Sequence, residues 1–302
     1  METGTDALLD NIQARMVTIL KMKQTYETAI AQEESALAQD RRLLNSFQPI
    51  GKIPMDVLLI IFMFYIQDTL PENAKRRNPF NIVRLTHVCS RWRVVATETA
   101  TLWTFIDLGW PAWTIALIPR SVLAPLSVVF SSYSPVENYP TKSLTKYIFK
   151  HHPRRIASLK ISAPHNIFTW LDIFIPLFLP SLRVLQLVCA YGEASTPRFA
   201  GNLPTNLQYF RLMGNLKWKI ESPPLLSHST LETLSLRLNT PDSRLQMGDI
   251  LRALDNMPLL KQLHLHTAFS TLWSTSLPSI VQLPYLTRLS IVGQCFELCC
   301  FP

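Results

Sequence analysis

The chain has 302 residues, enough for two domains or one long solenoid, and 48% of them are hydrophobic against 17% charged, which excludes wholesale disorder. Proline numbers 22 and glycine only 8, a balance that argues against glycine-rich phosphate loops and for many short elements ended by proline. The net charge of +8 fits nucleic acid, an anionic surface or acidic protein partners, but the basic residues are scattered. Their densest cluster, Lys75-Arg76-Arg77 between Pro71 and Pro79, reads as a solvated loop rather than a nucleic-acid patch.

Residues 6–46 contain neither proline nor glycine and are dominated by good helix formers. A heptad frame runs through Leu9, Ile12, Met16, Ile19, Lys23, Tyr26, Ile30, Glu33, Leu37, Asp40 and Leu44. The spacing predicts a long helix over residues 1–48 with a coiled-coil-like seam interrupted by Lys23, Glu33 and Asp40. Two readings stay open: one amphipathic helix lying on the rest of the protein, or a coiled coil that makes a homodimer through residues 6–46.

In the next segment Pro54 suits the first position of a helix and Asp56 its first turn, where negative charge meets the helix dipole. The helix that follows, "MDVLLIIFMFYI", is apolar all round, with Val57, Leu58, Ile61, Phe62 and Tyr65 on one face. After a polar insert, Gln67 to Phe80, the stretch "LTHVCSRWRVVA" places Leu85, Val88, Cys89, Trp92, Val95 and Ala96 on one helical stripe. "TETATLWTFIDL" follows, with Leu102 and Trp103 expected in the core. One amphipathic helix cannot cover a neighbour that is apolar on all sides, so part of the first helix must face a partner.

From Ile156 the pattern apolar-x-x-apolar-x-apolar occurs six times: "IASLKI" at Ile156, "LRVLQL" at Leu182, "LQYFRL" at Leu207, "LETLSL" at Leu231, "LKQLHL" at Leu260 and "LTRLSI" at Leu286. The steps are 26, 25, 24, 29 and 26 residues, and a proline stands two or three residues ahead of five copies. This is the leucine-rich-repeat signature in an irregular form. Each copy predicts a short strand, the strands stack in parallel into a curved sheet, and helices such as Met247–Met257 and Ser143–His152 return on the other side. The fold class expected is an α+β or α/β solenoid: long helix, helical module over 49–108, and repeat domain over 109–302. The chain stops soon after the sixth copy with no polar cap, so a truncated product or an end capped by another chain is expected.

The alternation along the strands lists one face of the sheet. Lys160, Gln186, Tyr209, Arg211, Ser235, Arg237, His264, His266, Arg288 and Ser290 should share it. The set carries cations and no carboxylate, which suits an acidic or phosphorylated segment. Catalytic chemistry is not expected. The sequence has no dinucleotide or Walker loop, no Gly-x-Ser-x-Gly and no His-Glu-x-x-His. Ser143–Lys146 matches Ser-x-x-Lys only as a chance tetrapeptide. His151 with His152, and His264 with His266, lack further ligands at a metal-like spacing. No cofactor and no metal are expected.

Five cysteines at irregular spacing and the lack of an Asn-x-Ser/Thr sequon fit a reducing compartment, cytoplasmic or nuclear. The longest apolar run, Val57 to Ile66, is ten residues and too short to span a bilayer.

"IPMDVLLIIF", then "VCSRWRVVA", then "TLW" resembles the F-box motif, over Ile50 to Leu108 or about a fifth of the chain. The order of a long helix, this motif and irregular leucine-rich repeats resembles fungal F-box proteins. The resemblance implies a three-helix module that docks on a Skp-type adaptor of a cullin-RING ubiquitin ligase. The matching positions are Ile53, Pro54, Val57, Leu58, Ile61, Phe62, Val88, Cys89 and Trp92, with Cys89 a packing residue. Two departures are Asp56 in place of the usual Glu and the long insert. On this reading the chain is a non-catalytic substrate receptor whose repeat face, through Lys160, Tyr209, Arg211, Arg237, His264, His266 and Arg288, takes an unknown protein. The alternative is a scaffold that binds the adaptor or dimerises without delivering a substrate. Neither a membrane nor nucleic acid is an expected partner.

Overall fold

The computed structural model describes residues 2–68, 81–131, 139–174, 179–195, 204–217, 229–239, 245–266, 269–270 and 281–292. The Lys75-Arg76-Arg77 cluster, most of the polar insert and Cys295, Cys299 and Cys300 lie outside them.

Helix α1 (Glu2–Phe47) is unbroken for 46 residues. Every side chain described on it, from Leu8 onward, is exposed. It therefore does not lie along the protein, which removes the first of the two readings of its seam. Only its last turns approach the body, where Glu34, Leu37, Ala38, Arg41, Arg42 and Asn45 form one wall of a groove and Val88, Cys89 and Ser90 the other.

A 3-10 turn (Pro49–Lys52) leads into α2 (Met55–Asp68). The single helix expected over Leu85 to Ala96 is instead two: α3 (Asn81–Thr86) and α4 (Ser90–Glu98), with Cys89 extended at φ −158° and ψ 171° between them. The break is hydrogen-bonded in place. Arg93 Nε donates to the Thr86 carbonyl at 2.8 Å and Thr86 Oγ1 donates to Val83 O at 2.7 Å, so these two carbonyls near the end of α3 are satisfied without a further turn. The expected stripe is broken with it: Leu85, Val95 and Ala96 are buried, while Val88 is exposed.

Eight strands form one parallel sheet in the order β1 (Phe105–Asp107), β2 (Leu126–Ser131), β3 (Ile156–Ala163), β4 (Val184–Ser195), β5 (Tyr209–Lys217), β6 (Thr233–Leu238), β8 (Gln262–His266) and β10 (Arg288–Val292). β7 (Leu245–Gln246) and β9 (Phe269–Ser270) pair separately. The six strands expected from the repeats are all present, in sequence order and in register. β1 and β2 extend the sheet ahead of them, so it begins inside the stretch 49–108. Helices α5 (Pro111–Arg120), α6 (Tyr139–His151), α7 (His165–Phe174) and α8 (Met247–Asp255) lie in the connections. The alternating apolar residues of β1 to β8, among them Ile106, Leu159, Leu185, Phe210, Leu234 and Leu263, are buried. They belong to one continuous core that also takes in Leu58, Phe62 and Leu85 of the helical module.

A ladder of hydrogen bonds joins the starts of successive strands. Ser181 Oγ donates to Arg154 O at 2.6 Å, Asn206 Nδ2 to Pro180 O at 3.3 Å, Thr230 Oγ1 to Thr205 O at 2.7 Å and Thr287 Oγ1 to Lys261 O at 3.0 Å. Between β6 and β8 a salt bridge of 2.8 Å from Lys261 to Glu232 spans the same step. Backbone bonds repeat beside it: the amides of Arg183, Gln208, Glu232, Lys261 and Thr287 each donate to the preceding copy at 2.8 Å.

Candidate functional site

Two surfaces stand out, one on α2 and one on the sheet. In α2 the residues expected to share one docking face are divided by the fold. Leu58 and Phe62 are fully buried in the core, with Trp92 half-buried against Phe62. Leu58 and Phe62 hold the module together and are not available to a partner, which corrects the assignment of these two to the adaptor face. The physical reason is angular: residues four apart share a face, and this pair is the one turned toward α3 and α4. Val57, Ile60, Ile61 and Phe64, at i, i+3, i+4 and i+7, form the opposite stripe and are 40%, 55%, 41% and 59% exposed. Ile60 and Phe64 were absent from the expected set, although the same spacing counted from Val57 finds them. Pro54 and Val88 are exposed, and Ile53 and Cys89 are half-buried.

The start of α2 is positioned by Arg91. Its guanidinium donates from Nη1 to the Gly51 carbonyl and from Nη2 to the Ile53 carbonyl, so one planar fork ties α4 to the turn before α2. Arg91 lies off the apolar stripe of its motif, so helical spacing carries no trace of this role. At the other end of the module Trp103 is buried, donates from Nε1 to Ala96 O at 2.7 Å and lies under the Arg120 guanidinium at 5.3 Å. Trp103 is thus shared by the helical module and the first sheet connection.

On the sheet, register places the expected residues in three rows of one face. The middle row runs Lys160, Gln186, Arg211, Ser235, His264, Ser290. Tyr209 and Arg288 stand in the row before it, Arg237 and His266 in the row after. Neighbouring strands in a sheet lie about 4.8 Å apart, so Arg237 and His266 are adjacent and Arg211 and His264 are separated by the one residue Ser235. Arg211 Nε donates to Met213 Sδ at 2.8 Å, and Ser290 Oγ lies 3.4 Å from His266 Nε2. The cations act on one another. Burial first, then Arg288, His266 and Arg211, hold the His264 imidazole below its ordinary value. From β3 to β10 the three rows contain no carboxylate; Asp107, level with Lys160 two strands away on β1, is buried.

No group of histidine, cysteine, aspartate or glutamate among the described residues could hold a metal ion, and no helix among them is long and apolar enough to cross a membrane. Ser143 and Lys146 of the Ser-x-x-Lys tetrapeptide both sit exposed on α6.

An apolar helix stripe left uncovered in this way is the usual mark of a surface that meets another molecule. The family that this module belongs to is given by its sequence: residues 50–109 match the F-box-like family model. The protein therefore carries an F-box-like domain, which supports reading it as an F-box protein. No curated protein matches the chain.

Proposed function

We propose that the chain is the substrate-recognition subunit of an SCF-type ubiquitin ligase, assembled from a Skp-type adaptor, a cullin and an F-box protein of the fungal type. Its F-box-like domain binds the adaptor, and the sheet, read as an irregular leucine-rich-repeat solenoid, binds the protein to be modified. The ubiquitin chemistry belongs to the partner ligase, so the chain is not an enzyme, and its place of work is the cytoplasm or nucleus. The observation that carries this reading is the F-box-like match at 50–109 together with an uncovered apolar stripe on its first helix. The cationic rows of the sheet favour an acidic or phosphorylated segment as the substrate's recognition element.

The test is co-purification with the adaptor and cullin. Ile60→Asp with Phe64→Ala alters only exposed side chains, so the chain should keep its circular dichroism. A strong interface anchor is worth about 2–4 kcal/mol, so adaptor affinity should fall by roughly a thousandfold for the pair. Wild-type recovery of the adaptor by this variant would overturn the reading. Arg211→Glu with Arg237→Glu should do the reverse: adaptor bound, substrate capture lost. A second reading, a scaffold that holds the adaptor without delivering a substrate, is favoured by the long exposed run of α1 from Leu8 onward. It is separated by whether any co-purified protein turns over with the complex.

A further inference from the structure

The seam of α1 is broken by charges, and those charges discriminate between orientations. We infer that α1 pairs with α1 of a second copy of this chain as an antiparallel coiled coil centred near Thr28.

In a parallel pair each seam residue faces its own counterpart. Lys23 would then meet Lys23, Glu33 would meet Glu33 and Asp40 would meet Asp40, three like-charge layers inside one interface. Reversing one helix about Thr28 removes all three. Lys23 then faces the partner's Glu33, and by symmetry Glu33 faces the partner's Lys23. The same register fills the rest of the seam with apolar pairs. Tyr26 meets the partner's Ile30, Ile19 the partner's Leu37, Ile12 the partner's Leu44, and Leu9 the partner's Phe47, all of them exposed in the single chain. Sliding the partner by one heptad either way loses apolar layers and sets Glu33 against Ile30 or Met16. The register centred on Thr28 leaves one mismatch, Asp40 against the partner's Met16, toward the end of the pairing.

The flanks agree. Ala29 and Ala36 lie on one side of the seam, and small residues there let two helices approach closely. On the other side Glu27 would lie near its own counterpart. Its charge is offset within the chain by Lys23, 3.8 Å away. The proposal does not rest on adaptor binding: the seam and the exposed stripe of α2 share no residue, and of the seam residues Leu37 alone lines the groove against Val88, Cys89 and Ser90.

The test uses the full-length chain. Light scattering should give a dimer for the wild type. Lys23→Glu alone and Glu33→Lys alone should each weaken dimerisation by about tenfold or more, because each brings two like-charge pairs into the seam. The double variant carrying both should regain wild-type affinity. A parallel dimer would not be weakened by either single variant. Ala29→Cys should oxidise to a covalent dimer linked through residue 29, identified by peptide mass spectrometry, and Ile30→Cys should not. All these positions are exposed, so folding is unaffected and circular dichroism will confirm it. A chain that remains monomeric, or one in which Ile30→Cys cross-links and Ala29→Cys does not, overturns the inference.

Discussion

Trp92 meets Phe62 edge to face, with ring centroids 4.9 Å apart and planes at 60°. The pair joins α4 to the buried side of α2. Phe62 contributes a fully buried ring, and truncating such a ring costs about 3–5 kcal/mol. Phe62→Ala should therefore lower the urea midpoint of the whole chain, because the helical module and the sheet share one core. Ile60→Ala, on the exposed stripe of the same helix, should leave the midpoint nearly unchanged. Equal effects from the two would contradict the division of α2 into a buried and an open side.

Arg91 is a second point of leverage. Its fork holds two backbone carbonyls of the segment before α2 from two separate nitrogens, a planar arrangement that the single ammonium of Lys does not reproduce. Arg91→Lys should cost roughly 1–2 kcal/mol. The expected signature is local: faster amide hydrogen exchange at residues 50–56, with the sheet amides unaffected.

Two backbone positions make opposite predictions. Gly214 has φ +93°, and a Cβ there would overlap the carbonyl oxygen of Cys189 on the neighbouring strand. Gly214→Ala should destabilise by at least about 2 kcal/mol. Val122 has φ +46°, which a β-branched side chain tolerates poorly. The turn is held by Arg155, whose Nη2 donates to Ser121 Oγ at 2.6 Å and whose Nε donates to Ala124 O at 3.1 Å. Val122→Asn should stabilise by about 1 kcal/mol, read as a higher Tm.

His264 makes stability depend on pH. Its folded pKa lies below that of the unfolded chain, so the unfolded state binds more protons between the two values. Stability should be flat above about pH 6.5, the unfolded imidazole pKa, and fall as pH drops from there through the folded pKa. His152, lowered by burial, then by Arg155 and His151, acts in the same direction. His264→Gln should flatten part of that slope. A docked phosphopeptide should raise the His264 pKa in an NMR titration, because an added anion offsets Arg211 and Arg288. No movement of its resonances on adding the peptide would show that the anion binds elsewhere.

Most of the sheet was legible because buried strand positions recur at a near-constant step, and each copy carried its own apolar triplet. β1 and β2 were missed although they obey the same pattern. Their copies are "WTFIDL" at Trp103 and "PLSVVF" at Pro125, with a tryptophan and a proline in the place of the first aliphatic residue and steps of 22 and 31 residues. The split of α3 from α4 was not legible, because Leu85 to Ala96 fits helical spacing throughout. The break is made by an extended backbone at Cys89 and a local bond from Arg93 back to Thr86, neither of which has a periodic trace. Which side of α2 stays exposed was not legible: an all-apolar helix announces that one side is open but not which. That choice is made by where α3 and α4 pack.

The ladder at the strand starts has a consequence for what this protein can vary. β4, β5, β6, β8 and β10 each have a bond to the preceding copy just before the strand begins, whatever the length of the connection behind it. The 29-residue step from Leu231 to Leu260 carries α8 as an excursion, yet Thr233 still faces Gln262. Insertions in the connections and substitutions in the three outward rows are thus invisible to one another. A side chain in the outward rows can thus be exchanged, one position at a time, without touching the bonds that align the strands.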